Sequence, residues 1–402
     1  RGAFALVATA VSGFVLRSAG LGRVVSSFHS PSLTIAGAVL GGGGVVLLLG
    51  LLLTLPLAGV VRWAFRKLGA NGFDGDADQP ARIADAPPSK EAAPARIADA
   101  PAGEEPAPAP EKPTAGGAGP RRLVARRAVL EAAVATLPVA ALGVGGAGIV
   151  GAFRPTSIVP RPMAFADLPD GLAGLRILQL TDLHLGAFMD PDGLADLVDR
   201  ASSAKPDLVV VTGDLSDYLP WVPEALARIE TLSPRLGTFA VFGNHEHYRG
   251  ADEVRRAYER SRIDLLTDEH RILQIGKQRV TLVGVDDPAG YAKDPDFYAR
   301  HADRALAGAP SDGFRLALCH RPSGFRALAS RNVDLTLSGH THGAQLGNGE
   351  RSLLDGITED SFLWGRYALG SRQLYTSSGG GHWLAFRLDC PSEAALVTLE
   401  KA

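Results

Sequence analysis

The amino-acid sequence predicts an α/β domain over residues 154–402, preceded by segments that enter a membrane. Two observations lead to this prediction. Ahead of position 154, residues 33–61 and 132–153 carry no charged side chain and are rich in Leu, Val, Ala and Gly. Beyond it, short Val- and Leu-rich runs typical of buried strands alternate with segments in which apolar residues recur at helical spacing. Strands that alternate with helices in this way predict the α/β fold class.

Residues 1–71 are expected to contain one or more membrane segments, with the main span at about 33–61. An uncharged run of this length is long enough to cross a bilayer as a helix. Arg62, Arg66 and Lys67 follow it directly, and basic residues beside a span mark its cytoplasmic end.

Residues 72–120 consist mainly of Ala, Pro and charged residues, and we expect them to form a disordered linker. The segment Ala81–Pro87 is repeated as Ala95–Pro101, as is typical of a low-complexity tract. Such a composition offers too few large apolar side chains to build a core.

Residues 121–153 are predicted to form a transmembrane helix or a signal-like anchor. The apolar part is preceded by the arginines Arg121, Arg122, Arg126 and Arg127. The last two also resemble a twin-arginine export signal. By the positive-inside rule, the arginines place residues 154–402 on the extracytoplasmic side of a bacterial inner membrane. Arg17 and Arg23 count against this topology, because it would place them outside as well.

Within residues 154–402, the predicted strands and helices follow one another along the chain. The strands are predicted at Leu175–Leu180, Leu208–Val211, Thr238–Phe242, Val280–Val285, Phe314–Leu318, Val333–Leu337 and Ala394–Leu399. The helices are predicted near residues 194–201 and at Pro223–Leu232. Because most of the strand runs are apolar throughout, we expect sheets that are covered on both faces.

The formal net charge of the 402-residue chain is −2, so we expect no nucleic-acid partner. Its two cysteines, Cys319 and Cys390, exclude a disulfide framework but leave a single disulfide open. Cys319 falls within an apolar run and is expected to be a small buried hydrophobic residue.

Polar residues of the types that bind metals follow five of the predicted strands. They are Asp182 and His184, Asp214, Asn244 and His245, His320, and His340 and His342. Ligands of α/β proteins gather outside the carboxyl ends of strands, so these side chains are expected to meet. Taken singly, each has a simpler interpretation, because an Asp after a strand often begins a turn and a lone His is often a buried structural residue. Their recurrence after five strands favours a shared site.

His340 and His342, bracketed by Gly339 and Gly343, could chelate one ion together or each bind a different ion. The spacing alone leaves both alternatives open. Two divalent ions about 3.5–4 Å apart need a bridging carboxylate, several imidazoles and a neutral oxygen ligand. The set after the five strands contains all three, and it lacks the thiolates of a structural zinc site.

These blocks resemble the signature of the calcineurin-like metallophosphoesterases, in the order that the family has. The matching blocks are Asp182-x-His184, Gly213-Asp214, Gly243-Asn244-His245-Glu246, His320 and Gly339-His340-x-His342. The resemblance implies a four-layer αββα sandwich of two mixed sheets. It also implies two divalent metal ions, which could be Mn, Fe or Zn.

The resemblance further implies a role for each residue of the blocks. One ion would be bound by Asp182, His184 and His342. The other would be bound by Asn244, His320 and His340. Asp214 would bridge the two ions, and His245 would stabilise or protonate the leaving oxygen.

A closer resemblance is to the membrane-anchored, YkuE/YaeI-like branch of that family. It rests on Leu175–His184, Thr212–Asp217, Gly379–Trp383 and Pro391–Glu393. Ala344 and Ala385 depart from that branch, which often has Gly and Pro there, but neither is a predicted ligand. The branch includes enzymes that hydrolyse UDP-2,3-diacylglucosamine in lipid A biosynthesis.

We therefore expect a membrane-anchored dinuclear-metal phosphoesterase that hydrolyses a phosphodiester or pyrophosphate bond with metal-activated hydroxide. Its substrate could be lipid-linked, like UDP-2,3-diacylglucosamine. That substrate is processed in the cytoplasm, whereas the arginines place the domain outside. The alternative is a catalytically idle phosphoesterase domain that serves as a membrane-tethered binding module, although no predicted ligand is missing.

Other polar residues near the blocks have weaker claims to function. Asp217 has some claim to contact the substrate, because it follows Asp214 closely. Most of the remaining histidines are expected to be exposed: His247, His270, His301 and His382.

Overall fold

The computed structural model describes residues 136, 140, 143–186, 188–289, 294, 296–357, 362–382 and 384–402. The predicted span at 33–61 and the predicted linker at 72–120 lie outside these residues, as does most of the predicted anchor before position 143. Within the predicted anchor, residues 143–152 are helical. In the described part of the chain, no helix is both long and apolar enough to cross a membrane.

Twelve strands are assigned in the described part of the domain. They are β1 (Ser157–Phe165), β2 (Arg176–Leu180), β3 (Leu208–Thr212), β4 (Thr238–Val241), β5 (Asp264–Leu265), β6 (Glu269–Ile275), β7 (Gln278–Val285), β8 (Phe314–Cys319), β9 (Leu335–Ser338), β10 (Gly365–Leu369), β11 (Arg372–Thr376) and β12 (Glu393–Lys401). Besides the helical residues 143–152, the α-helices are Pro191–Ser202, Val222–Glu230, Asn244–Arg249, Ala251–Glu259, Phe297–Ala305 and Phe325–Ala329. Short 3₁₀ helices lie at Asp170–Leu172, Leu219–Trp221, Pro322–Gly324 and His342–Gln345.

The strands form two mixed six-stranded sheets. The first has the order β1-β12-β2-β3-β4-β5, and the second β10-β11-β9-β8-β7-β6. In the first sheet, β2, β3, β4 and β5 are parallel, and β12 runs antiparallel to β2. In the second sheet, β11, β9, β8 and β7 are parallel, and β10 and β6 are antiparallel edge strands. Parallel strands end at the same edge of their sheet, which brings the residues that follow them together.

Side chains of the two sheets face each other across a shared core. On β2 and β3, Ile177 and Val210 point into this core, where they join Leu282 and Leu316 of the second sheet. Such alternation along a strand follows from the two-residue period of side chains. The neighbouring Leu178 therefore packs on the opposite face of its sheet.

Helices cover the outer face of each sheet. Leu197 and Leu226 of two helices pack on the first sheet, and Ala302 and Leu328 of two others pack on the second. The helix Pro191–Ser202 begins where the Asp190 carboxylate accepts a hydrogen bond from the Gly193 N–H at 2.8 Å, a typical N-cap. Helix, sheet, sheet and helix are thus stacked in the order expected of an αββα sandwich.

Each predicted strand and helix has a counterpart within two or three residues of its predicted ends. Strands β1, β5, β6, β10 and β11 were not predicted, because half-exposed residues interrupt the apolar pattern or, in β5, because the strand is only two residues long. Cys319 is buried as expected, and both it and Cys390 are free thiols, so the possible disulfide is not formed.

Gln179 connects the two sheets just below the predicted site. It is fully buried in the middle of β2, where every neighbour in the strand is apolar. Its side-chain amide donates to the Thr212 hydroxyl on β3 and to the Ser338 carbonyl on β9, each at 2.9 Å. This contact fixes the carboxyl ends of the two sheets against each other.

Candidate metal centre

The loops after five parallel strands meet at the junction of the two sheets. Those after β2, β3 and β4 come from the first sheet, and those after β8 and β9 from the second. They bring together all seven predicted ligands: Asp182, His184, Asp214, Asn244, His320, His340 and His342. Only His340 among them is more than slightly exposed.

Three of these side chains form a first group of donors. Asp182, His184 and His342 each offer one ligand atom within 4.8 Å of the others. The Nε2 atoms of His184 and His342 are 3.1 Å apart, and Oδ1 of Asp182 is 3.5 Å from Nε2 of His342. Three buried donor atoms that converge in this way could hold a metal ion between them.

A second group consists of Asp214, His320 and His340, again within 4.8 Å. Oδ2 of Asp214 is 3.3 Å from Nε2 of His320, which is 3.2 Å from both Nδ1 of His340 and Oδ1 of Asn244. Oδ2 of Asp214 also lies 3.7 Å from Nε2 of His184, in the first group. Asp214 is therefore the carboxylate placed between the two groups.

The protonation of His340 and His342 suits metal binding. Nδ1 of His320 is 2.8 Å from the Thr212 carbonyl and donates to it, so Nε2 is the atom directed at the centre. Burial lowers the pKa of His340, as do the charges of His320 and Arg321, to about 2. Burial and nearby His184 likewise hold the pKa of His342 well below its usual range. Neutral imidazoles keep the lone pair that a metal needs.

Asp214 and His320 carry opposite charges when no metal is bound. Burial alone would raise the pKa of the Asp214 carboxyl, but His320, His184 and His245 hold it well below its usual range. Burial would lower the pKa of His320, yet the Asp214 carboxylate raises it to about 10. His320 must therefore release a proton when its Nε2 binds a metal. Burial would lower the pKa of His184, but Asp217 and Asp214 raise it, so His184 must release a proton as well. With these protons released, the residues present fit two divalent cations of the kind that accept N and O ligands.

His245 stands beside the centre on a carboxylate support. Its Nδ1 is 2.5 Å from Oδ1 of Asp217, and its Nε2 is 4.0 Å from Oδ2 of Asp214. Asp217 also lies 3.4 Å from Nδ1 of His184. Asp217 therefore contacts two histidines, and its contact with substrate stays a prediction. Burial would raise the pKa of Asp217, but these two histidines lower it far below its usual range.

Glu246 is a functional residue to which the sequence analysis assigned no role. Its buried carboxylate accepts hydrogen bonds from the backbone N–H groups of Gly243, Asp214 and Leu215 at 2.7–2.9 Å. Burial raises the pKa of Glu246, as does the charge of Asp214, and the backbone donors oppose that shift. The side chain thus joins the loop after β3 to the loop after β4. Only its place in the Gly-Asn-His-Glu block could have drawn attention to it.

Two glycines allow the loops to approach so closely. A Cβ on Gly339 would lie 2.1 Å from Oδ2 of Asp182, and one on Gly213 would lie 2.6 Å from both the Gly243 nitrogen and Nδ1 of His320. Gly213 also has a φ of +90°, which side chains other than glycine rarely adopt. Neither position has room for a larger residue.

The loop after β11 lies behind the first donor group and is held by Arg387. This arginine is buried and donates to the carbonyls of Ser378, Gly381 and Cys390 at 2.8, 2.5 and 3.1 Å. One of its nitrogens is 3.3 Å from Nδ1 of His342. The guanidinium therefore supports His342, a predicted ligand, from the side of its Nδ1 atom.

The expectation that most other histidines are exposed is wrong. His382 is 5% exposed and packs on Phe188, with ring centroids 4.5 Å apart. His247 lies 3.0 Å from Asp286, and His270 and His301 also have partners in the domain. These histidines are covered by partners from other parts of the chain, and no local pattern in the sequence predicts such partners.

Comparisons with known proteins bear on this centre. The family described as "Calcineurin-like phosphoesterase" matches residues 175–344, which include every predicted ligand. An uncharacterized metallophosphoesterase of Aquifex aeolicus is 30% identical over 238 residues, which are 58% of this chain and 87% of that protein. Phosphodiesterase YaeI of Escherichia coli is 29% identical over 244 residues, which are 57% of this chain and 84% of that protein.

A third relative is longer than the shared region. It is an uncharacterized metallophosphoesterase of Helicobacter pylori strain J99, 33% identical over 229 residues, which are 56% of this chain. The chain spans 60% of the length of that relative.

Proposed function

Because the chain belongs to the calcineurin-like phosphoesterase family, we propose that it is a membrane-anchored dinuclear-metal enzyme that hydrolyses a phosphodiester or pyrophosphate bond. The observation that carries this proposal is the pair of donor groups that share the carboxylate of Asp214, with His245 beside them. The name of the relative YaeI, a phosphodiesterase, supports the choice of a diester.

The side chains divide the work of the site between them. Asp182, His184 and His342 would hold one ion, and Asn244, His320 and His340 the other, with Asp214 contacting both. Two bound divalent ions, Mn, Fe or Zn, would withdraw charge from the phosphoryl oxygens and lower the pKa of an attacking water.

His245 is placed to serve the leaving group. Because Asp217 engages Nδ1 of His245, the ring presents Nε2 to the centre. From that position it can donate a proton to the oxygen that departs from phosphorus. Asp217 keeps the ring oriented.

The proposal is tested with the full chain in detergent, stripped of metal and reloaded with manganese. An aryl phosphodiester, an aryl phosphomonoester and UDP-2,3-diacylglucosamine are compared as substrates. We expect hydrolysis of a diester or pyrophosphate, and a loss of about a thousandfold or more in kcat for Asp214→Asn and His340→Ala. The matched control is His270→Gln, a histidine that lies outside the centre and contacts the Ala305 carbonyl. Wild-type turnover in either site variant, or activity on the monoester alone, would contradict the proposal.

A lipid-linked substrate is part of the same proposal. Residues 143–152 form a helix without charged side chains, and Val144, Val150 and Phe153 are 48%, 62% and 44% exposed. An apolar face exposed to water is unfavourable, whereas it is suited to a bilayer. A domain held at a membrane can reach the phosphate of an amphiphilic substrate such as UDP-2,3-diacylglucosamine.

The side of the membrane on which the domain lies determines which substrates it can reach. We propose that the domain lies outside the bacterial cytoplasmic membrane, as the arginines before position 132 suggest. Alkaline phosphatase or a fluorescent protein fused after Ala402 reports the side. An external signal favours phosphodiesters of the cell envelope, and a cytoplasmic signal favours the lipid A precursor. Absence of metal from the purified chain would instead favour a membrane-tethered binding module.

A further inference from the structure

Arg321 lies at the edge of the metal centre and has no role in the proposal above. It directly follows His320 at the end of β8. Its Nε donates to Oδ2 of Asp287 at 2.8 Å, and Asp287 is buried. Its NH1 lies 3.0 Å from Nε2 of His340. One end of the guanidinium is therefore fixed by a carboxylate, and the other end points at a predicted ligand.

The contact with His340 is incompatible with metal binding at that residue. The inner nitrogen of His340 is Nδ1, which is 3.2 Å from Nε2 of His320. When Nδ1 gives its lone pair to a metal, a neutral imidazole carries its proton on Nε2. That N–H would then face an N–H of Arg321 across 3.0 Å, with no acceptor between them. In the loaded centre, NH1 of Arg321 must find another acceptor.

Arg387 makes a similar contact with His342 but is not free to exchange it. Its guanidinium donates to three backbone carbonyls in a fully buried place. Arg321, by contrast, has an 11% exposed side chain and has Asp287 and His340 as its partners among the described residues. Of these two arginines, Arg321 is the one whose guanidinium is fixed by a carboxylate and whose side chain is partly exposed.

We propose that Arg321 is a substrate-binding residue that donates from NH1 to a non-bridging phosphoryl oxygen on the side of His320 and His340. A guanidinium is well suited to this contact, because its planar donors match phosphate oxygens. Asp287 positions the guanidinium and leaves NH1 for the phosphate. The inference rests on the proposed phosphoesterase function, since it needs a phosphoryl group at the centre.

The test measures how inorganic phosphate binds to the manganese-loaded full chain, by calorimetry and as a competitive inhibitor. We expect Arg321→Gln to weaken phosphate binding about tenfold or more, as the loss of a charge-assisted hydrogen bond does. KM for the diester should rise in parallel, while metal content by mass spectrometry stays the same. Arg321→Lys should recover part of the binding because it keeps the charge.

Two further variants make the result interpretable. Arg321→Gln leaves the Asp287 carboxylate buried without a partner, which could disturb the site by itself. The double variant Arg321→Gln/Asp287→Asn removes both charges, so it tests the loss of the arginine without leaving an unpaired buried carboxylate. The control is Arg271→Gln, on strand β6, which removes an arginine paired with Asp264 at 2.7 Å. It should change neither phosphate binding nor KM. Unchanged phosphate binding in the double variant would overturn the inference. Loss of bound metal from the double variant would also overturn it.

The same experiment separates this inference from the proposed function. If the wild-type chain binds phosphate but hydrolyses no phosphoester, the proposed activity fails, and the binding titration still decides the role of Arg321. If the wild-type chain is active and Arg321→Gln matches it in KM and in phosphate binding, only the inference fails. If the loaded wild-type chain binds no phosphate, the inference fails as well.

Discussion

Backbone strain is concentrated in the residues that would bind the metals. Five of them have positive φ values between 47° and 70°: Asp182, His184, Asp214, His340 and His342. This left-handed conformation costs roughly 1–3 kcal/mol for a residue with a side chain. It persists because neighbouring groups hold it, as when the His340 N–H donates to both oxygens of Asp182 at 3.0 Å.

Glu246 is the residue on which the arrangement around Asp214 depends most. We predict that Glu246→Gln lowers the free energy of unfolding by about 1–3 kcal/mol, because a side-chain amide cannot accept from all three backbone N–H groups. The loop that carries Asp214 should shift, so bound metal should fall as well. Urea unfolding and metal analysis of the purified chain measure the two effects.

The control for this prediction is Glu259→Gln, at an exposed position at the end of the helix Ala251–Glu259. It removes the same charge without disturbing a buried donor, and should stay within about 0.5 kcal/mol of wild type. Equal stability and equal metal content in both variants would show that Glu246 does not fix the loop.

At the scale of single elements, the strand β9 and the loop that follows it set the distance between the sheets. The Gly339 N–H donates to the His320 carbonyl at 2.9 Å, and the next residue, His340, contacts Asp182 in the other sheet. Gly339 is the point of closest approach, because a Cβ there would overlap Oδ2 of Asp182.

We therefore predict that Gly339→Ala uncouples folding from function. The added methyl group would lie 2.1 Å from Oδ2 of Asp182, so the loop must move away from that residue. A shift of about 1 Å in a reacting group can cost about a hundredfold in rate. Metal content and kcat should fall sharply, while circular dichroism still reports both sheets. Gly146→Ala adds a methyl group that meets no atom within 4 Å, and should leave metal content unchanged. Normal activity in Gly339→Ala would show that the loop has more room than the structure gives it.

The elements that the sequence predicted are those with a strong local signal. The apolar runs of β3 and β8 identify strands, and the polar residues directly after them identify candidate ligands. The supporting contacts were not predictable in this way. Gln179 joins β2 to a carbonyl 159 positions away, and Arg161 joins β1 to Glu393 across 232 positions. Such pairs depend on which strands become neighbours, and no local pattern encodes that.

At the scale of the whole molecule, the predicted ligands are divided between the two sheets. Asp182, His184, Asp214 and Asn244 follow strands of the first sheet, and His320, His340 and His342 follow strands of the second. Each donor group contains residues from both sheets. A cation in either group would therefore connect the sheets where the shared apolar core ends.

We predict that metal removal destabilises the domain as a whole. An ion present at a hundred times its dissociation constant adds about 2.7 kcal/mol to the free energy of unfolding, provided that the unfolded chain does not bind it. Because each group draws on both sheets, chelation should lower the melting temperature of the domain in a single transition. Calorimetry with and without chelator measures the difference, and manganese should restore it. Asp214→Asn removes the carboxylate shared by both groups, so its melting temperature should respond far less to the chelator. A wild-type melting temperature that is the same with and without bound metal would mean that the ions do not connect the sheets.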